Sequence, residues 1–227
     1  ADIIDIGGES TRPGSLPVSE HEECERIIPV INSIKKINSD ITVSVDTYKA
    51  SVARKAIEAG ADIINDISGL TFDPDMLPLL SGKDIPVVIM HIKGKPKTMQ
   101  KNPSYNDLIK DVRSFLRHQS KIAEKSGIKN NHIILDPGIG FGKTFDHNFT
   151  LLRRLDEICS LGYPVMIGPS RKAFIGDVLD LPPDDRIEGT LATVVAGIMN
   201  GAKIVRVHDV KEVSRVVKIT EKIIASA

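Results

Sequence analysis

Two carboxylates and an amide stand at the ends of three short apolar runs of this sequence: Asp46, Asn65 and Asp136. A bare carboxylate is costly to bury, so each side chain alone could be a helix N-cap, a turn residue or a paired structural charge. Together they form a set of acceptors that suits a flat heterocycle with amidine-like N–H groups, because a carboxylate accepts two parallel donors.

A second group of candidate residues is cationic. Arg12 lies in a loop after the first apolar run, Lys172 follows a later one, and Arg206 and His208 alternate along the last. Alternate residues of a strand point to the same side of it. Single cations are usually solvated, but several at the strand ends of a barrel resemble a clamp for phosphate or pyrophosphate. Chemistry that joins a neutral ring to a phosphate leaving group would use both groups.

The elements that must position these residues alternate along the chain. Short, nearly continuous apolar runs predict buried parallel strands, and amphipathic stretches between them predict helices. The predicted strands are 3–6, 41–45, 62–67, 86–91, 132–135, 164–167 and 203–207. The predicted helices are 18–37, 49–59, 73–80, 105–126, 147–161, 184–200 and 210–225.

Polar residues at the ends of many different strands favour a (β/α)8 barrel. The rival, a doubly wound sheet, usually carries a G-x-G-x-x-G turn, which Gly138-Ile139-Gly140-Phe141-Gly142 matches only loosely. Seven strands do not close a barrel at normal shear. We therefore expect residues 1–227 to form a single α/β domain, a (β/α)8 TIM barrel that lacks its first β-strand, first loop and first helix.

Composition excludes several classes of function. The chain has 30 Lys and Arg against 30 Asp and Glu, whereas domains that bind nucleic acid by bulk attraction carry a basic excess. Its apolar runs are far shorter than the roughly 18 residues of a membrane helix. We therefore predict neither a nucleic-acid nor a membrane partner.

Seven motifs, taken together, make the chain similar to the dihydropteroate synthases of folate biosynthesis. In the order of that family they are Asp5-Ile6-Gly7-Gly8-Glu9-Ser10-Thr11-Arg12-Pro13-Gly14, Ser44-Val45-Asp46-Thr47, Ile64-Asn65-Asp66-Ile67-Ser68-Gly69, Met90-His91, Leu135-Asp136-Pro137-Gly138-Ile139-Gly140-Phe141, Ser170-Arg171-Lys172 and Arg206-Val207-His208. They cover nearly the whole chain.

The resemblance implies a transferase that condenses 4-aminobenzoate with 6-hydroxymethyl-7,8-dihydropterin diphosphate, giving 7,8-dihydropteroate and pyrophosphate. It implies catalytic roles for Asp46, Asp136 and Lys172. The pterin site it implies is Asp46, Asn65, Met90, Asp136, Gly168 and Lys172. The implied pyrophosphate site is Arg12, Arg206 and His208. The implied 4-aminobenzoate site, where sulfonamides compete, is Thr11, Pro13, Phe141 and Ser170.

The resemblance also implies Mg²⁺ as cofactor, with an Asn ligand at the end of the family's first strand and a Thr-Pro-Asp-Ser-Phe-Ser-Asp-type loop after it. Neither occurs in these 227 residues, so no metal ligand is assigned in this chain. We expect a homodimer in the cytoplasm, or in the mitochondrion if the source is a fungal or plant multifunctional enzyme. Segment 145–155 is more similar to the eukaryotic forms, so fusion to other folate-pathway domains is a further expectation.

Two other functions stay open at this point. A pterin-binding methyltransferase barrel shares the Asp, Asn, Asp set but has no use for Lys172, Arg206 and His208. A truncated, non-catalytic scaffold fits the absence of the first unit but not the intact set of polar residues at the strand ends. A Schiff-base aldolase using Lys172 is not favoured, because no constellation for a carbonyl substrate is visible.

Overall fold

Strands and helices alternate along the chain in the computed structural model, which describes residues 1–226 and leaves Ala227 outside the described residues. The strands are β1 Ile3–Gly7, β2 Thr42–Asp46, β3 Ile63–Asp66, β4 Val87–Met90, β5 Ile133–Asp136, β6 Met166–Ile167 and β7 Ile204–Val205. The α-helices are α1 Glu20–Ile37, α2 Ala50–Glu58, α3 Met76–Leu80, α4 Leu108–Lys125, α5 Phe145–Arg153, α6 Leu155–Cys159, α7 Ala173–Leu179, α8 Ile187–Met199 and α9 Val210–Ile224. All seven predicted strands are confirmed, each inside or one residue beyond its predicted range.

The strands are parallel and neighbours in sequence are neighbours in space. One sheet has the order β1-β2-β3-β4-β5 and a second pairs β6 with β7. A bridge between Leu135 and Val165 joins the two sheets. The register sets Asp46 opposite Asn65, and Met90 opposite Asp136. The predicted pterin residues therefore share one edge of the sheet.

An apolar cluster drawn from six strands shows how the sheets curve. Its buried members are Ile63, Val88, Ile134 and Met166, with Ile3 and Ile204 packed against them. The strands surround this cluster, while their other faces pack on the helices. This is the interior of an α/β barrel, and the predicted fold class is confirmed.

Two helical predictions were wrong. The first is an omission: helix α7 was missed, because it is short, contains Gly176 and directly follows a polar segment. The predicted helix 147–161 is two helices, α5 and α6, which meet at Arg154 with φ −110° and ψ 29°. No Gly or Pro marks this break in the sequence. In residues 1–226, no helix combines the length and the apolar character that crossing a membrane requires.

Candidate active site

Polar side chains line the barrel interior just beyond its apolar cluster. Side chains alternate along a strand, so a residue two positions after a cluster member faces the same interior. The residues placed in this way are Asp5, Asn65, Met90, Asp136, Gly168 and Arg206. Asp46 lies level with Asn65 in the register. The sequence prediction missed Asp5, although its alternation with Ile3 marks it.

Arg206 joins the last strand to the first two. Its Nε lies 2.6 Å from Oδ2 of Asp5, and its Nη2 lies 3.3 Å from Oδ2 of Asp46. The sequence analysis placed Arg206 with the phosphate-binding cations and Asp46 with the pterin ligands. The two groups are not separate, because this guanidinium touches the carboxylates directly.

Burial and nearby charges determine the pKa of Asp46, and burial leaves Asn65 with an acceptor that is unpaired among residues 1–226. Burial, followed by the Asp5 carboxylate, raises the pKa of Asp46 to about 7, and the Arg206 charge opposes both. The Asn65 side chain is buried, and its Oδ1 has no hydrogen-bond partner in the described part of the chain. A buried acceptor without a donor carries a desolvation cost that a ligand N–H would relieve.

The pH dependence of activity tests this arrangement. The ionised form of Asp46 is lost as the pH falls below about 7, so kcat/KM, which reports the free enzyme, should fall there. An Asp5→Asn variant removes a charge that raises the pKa of Asp46. The acid limb should then move to lower pH, by about half a unit or more, in a kcat/KM profile. Asp2→Asn, three residues earlier on the chain, should leave the limb in place; a limb that moves up in Asp5→Asn contradicts the assignment.

Residues 137–142, named here the glycine loop, follow Asp136. The Gly138 N–H donates to Oδ1 of Asp136 at 2.7 Å. Burial raises the pKa of Asp136, and this hydrogen bond opposes the rise. Gly138 has φ +70°, and a Cβ there would lie 1.9 Å from the His91 carbonyl oxygen. The loop therefore packs against the exit of β4 in a way that only glycine permits.

Lys172 meets the same loop from the exit of β6. Its Nζ donates to the Ile139 carbonyl and lies 4.6 Å from the centroid of the Phe141 ring. Burial lowers the pKa of Lys172 to about 8. Phe141 packs on the apolar cluster that contains Met90, so the predicted pterin and 4-aminobenzoate residues adjoin.

The remaining predicted residues lie beyond the C-terminal ends of the strands, at the mouth of the barrel. Ser170 Oγ is 2.9 Å from Nδ1 of His208 and also accepts the His208 N–H at 3.2 Å. Arg12 and Pro13 are exposed and Thr11 is half-buried, on a loop tethered where the Gly14 N–H donates to the Pro96 carbonyl. Burial lowers the pKa of His208, and the charge of Arg12 adds a small part to this effect. Arg12 is thus near the other cations but not packed among them.

A network that the sequence prediction missed supports this mouth. Lys49 Nζ lies 2.7 Å from carboxylate oxygens of both Glu9 and Glu23, and the Tyr48 hydroxyl donates to Glu9. Glu9 belongs to the loop after β1, and Glu23 is buried on α1. The network therefore fixes the start of that loop to α1 and to the segment after β2.

The described residues do not by themselves fit a magnesium site. Within residues 1–226, no three His, Cys, Asp or Glu side chains come together as metal ligands. The carboxylates of Asp5 and Asp46 are close to each other, but the Oδ2 atom of each forms an ion pair with Arg206. The expected Mg²⁺ stays a prediction for this chain.

Comparison with known proteins places the site in a family. Residues 1–208 match the family described as pterin binding enzyme. The dihydropteroate synthases of Synechocystis sp. and Bacillus subtilis are 50% and 52% identical to this chain. Each match covers 97% of this chain and about three quarters of the relative. The chain belongs to the dihydropteroate synthase family.

A solved dihydropteroate synthase extends the likeness to the whole backbone. The Yersinia pestis dihydropteroate synthase, solved with a sulfonamide drug complex, has a TM-score of 0.95 and 43% identity. The match covers 100% of this chain and 81% of that one. The resemblance inferred from seven motifs is therefore confirmed, and with it the barrel fold class.

Proposed function

We propose that this chain condenses 4-aminobenzoate with 6-hydroxymethyl-7,8-dihydropterin diphosphate, forming 7,8-dihydropteroate and pyrophosphate. The reaction is a transfer, as membership of the dihydropteroate synthase family entails. The observation that carries it is the convergence of Asp46, Asn65 and Asp136 beside Arg206 inside one barrel. This arrangement offers acceptors to a pterin ring and a cation to its diphosphate.

The substrate contacts follow from the hydrogen-bonding groups and charges that the site offers. In our proposal Asp46, Asn65 and Asp136 accept the N–H edge of the pterin. Met90 packs on the face of the pterin, and Gly168 leaves room beside it. Lys172 donates to the pterin near its carbonyl. Arg206, His208 and Arg12 bind the diphosphate, which competes with carboxylates for the Arg206 donors.

The chemistry is a substitution at the pterin methylene. The C–O bond to the diphosphate breaks, the amine nitrogen of 4-aminobenzoate forms the new C–N bond, and that amine loses a proton. Positive charge develops on the methylene as the diphosphate departs, and the Asp46 carboxylate stabilises it from a buried site. Thr11, Pro13, Phe141 and Ser170 form the slot for 4-aminobenzoate. No covalent enzyme intermediate is required.

Release of pyrophosphate distinguishes this function from the two alternatives. Mixing the chain with both substrates and Mg²⁺ should release pyrophosphate and dihydropteroate in equal amounts. Omitting 4-aminobenzoate should abolish the formation of dihydropteroate. A sulfonamide should inhibit, with the inhibition reversed by 4-aminobenzoate. Pterin binding without pyrophosphate release would favour the methyltransferase barrel, and binding of neither substrate would favour the scaffold.

The wider setting of the chain also stays a proposal. We propose one pterin-binding domain over residues 1–227, supported by the family match over residues 1–208. The small-molecule substrates agree with the names of the relatives. The homodimer, the fused folate-pathway domains and the compartment, cytoplasmic or mitochondrial, stay predictions.

A further inference from the structure

Lys143 is a buried lysine that the proposed mechanism does not use. Its side chain is only 2% exposed, although lysine is among the residues least often buried. Among the described residues, the atoms within hydrogen-bonding distance of its Nζ are neutral: the Phe141 carbonyl at 2.9 Å, the His91 carbonyl at 3.3 Å and His91 Nδ1 at 3.0 Å. Burial lowers the pKa of Lys143 well below its usual value, so this position carries a cost that an apolar residue would avoid.

The two residues that Lys143 contacts belong to different elements. His91 directly follows β4 and is itself buried, with its ring 5.1 Å from the Phe115 ring. Phe141 belongs to the glycine loop after β5. Burial, together with the Lys143 charge, lowers the pKa of His91 to about 2, so its imidazole is neutral and Nδ1 can accept. The lysine therefore joins the exits of two neighbouring strands.

The glycine loop carries three contacts that the proposed site depends on. Its Gly138 N–H holds Oδ1 of Asp136, its Ile139 carbonyl accepts from Lys172, and its Phe141 ring lies under the Lys172 ammonium. Moving Phe141 would displace the 4-aminobenzoate slot and the ring beside Lys172, whereas Asp136 would stay in place because it belongs to β5.

Other side chains hold the loop from its outer side. Asn148 Oδ1 accepts the Gly140 N–H at 2.6 Å, and the Tyr105 hydroxyl donates to the Gly142 carbonyl at 2.7 Å. Neither of these two hydrogen bonds reaches β4. Lys143 adds a hydrogen-bonded tie to the exit of β4, because the same Nζ reaches the Phe141 and His91 carbonyls.

We propose that Lys143 is a positioning residue of the synthase site, which ties the glycine loop to the exit of β4 and so holds Phe141 in the 4-aminobenzoate slot. This proposal rests on the proposed function. Lys143 acts through Phe141 and touches neither substrate.

A Lys143→Met variant tests it, because Met nearly matches the volume and lacks the donors. We expect the KM for 4-aminobenzoate to rise about 10- to 100-fold, since small displacements of positioning groups have effects of this size. The KM for the pterin diphosphate should rise less than about threefold, because Asp136 is anchored in β5. Amide hydrogen exchange at Gly138 and Gly140 should become faster than in the wild-type chain.

A double-mutant cycle separates positioning from general destabilisation. In a Phe141→Ala background, Lys143→Met should change the KM for 4-aminobenzoate by less than about twofold, because its route of action is gone. Lys35→Met is the matched control. That lysine binds Asp62 and the Ile41 carbonyl beside the opposite ends of the strands, so its loss should lower stability and leave both KM values unchanged.

Three results would overturn the proposal: an unchanged KM with unchanged exchange in folded Lys143→Met, independent effects in the cycle, or equal KM increases for both substrates.

If Lys143→Met does not fold, a Lys143→Arg variant provides the test. It keeps donors, so its KM for 4-aminobenzoate should stay within about threefold of wild type, and a larger rise contradicts the hydrogen-bonding role. Absence of pyrophosphate release from the wild-type chain would refute the proposed function, while the exchange comparison would still test the tie between loop and strand.

Discussion

An Asp46→Asn variant is expected to turn over about 100- to 1,000-fold more slowly than the wild-type chain, with pterin diphosphate affinity changed by less than about tenfold. The side chain is only 10% exposed, so its attraction to the developing methylene cation is weakly screened by solvent. The amide keeps the size and one acceptor, so ground-state hydrogen bonds to the pterin ring survive. Steady-state kinetics and calorimetric binding of the pterin diphosphate measure the two effects separately.

The same substitution at Asp66 is the matched control. Asp66 is fully buried at the end of the adjacent strand, but it faces away from Asn65 and accepts the Ser68 and Leu70 N–H groups of its own loop. Asp66→Asn should therefore lower stability and leave kcat within about threefold. A near-normal rate in Asp46→Asn would remove the role assigned to that carboxylate, whereas an equal loss in both variants would point to a folding effect.

Gly138→Ala is expected to lower the free energy of unfolding by about 3 kcal/mol or more. A residue with a side chain at φ +70° costs about 1–2 kcal/mol, and the added Cβ would fall 1.9 Å from the His91 carbonyl oxygen. Relieving that overlap forces the glycine loop away from β4, which adds a cost typical of an overpacked core. Any folded fraction should also show a raised KM for 4-aminobenzoate. Denaturant unfolding and steady-state kinetics measure both.

Gly82 provides a control with the same backbone angle. Its φ is also +70°, and a Cβ there would have no heavy atom within 4 Å. Gly82→Ala should therefore cost only the conformational term, about 1–2 kcal/mol, and leave the kinetics unchanged. Equal costs at the two glycines would show that the loop yields easily and that its contact with β4 is not a tight one.

The sequence predicted the strands and the strand-end residues better than the helices. Buried parallel strands have a continuous apolar signature, and the residue that ends each one is fixed by position alone. Asp46, Asn65 and Asp136 could therefore be placed at one edge before any contact was known. Helix α7 and the break at Arg154 carry no such signature, because both depend on how the chain packs.

The residues that the sequence prediction missed, Asp5 and Lys143, share a different cause. Asp5 lies 201 residues from its partner Arg206, and only barrel curvature brings them within 2.6 Å. Lysine is usually a surface residue, but Lys143 is buried against His91 and Phe141. Neither the contact between Asp5 and Arg206 nor the burial of Lys143 is indicated by any local pattern in the sequence. The resemblance supplied the roles of conspicuous residues, while the contacts that hold those residues came from the structure.

The ion pairs of Arg206 make the pocket sensitive to ionic strength. The Arg206 side chain is partly exposed, and it binds Asp5 on β1 and Asp46 on β2. Dissolved salt weakens attraction between partly exposed charges and barely affects a ladder of backbone hydrogen bonds. A phosphate ligand competes for the same guanidinium. Salt and substrate therefore act on the same two ion pairs, and both weaken the hold of Arg206 on Asp5 and Asp46.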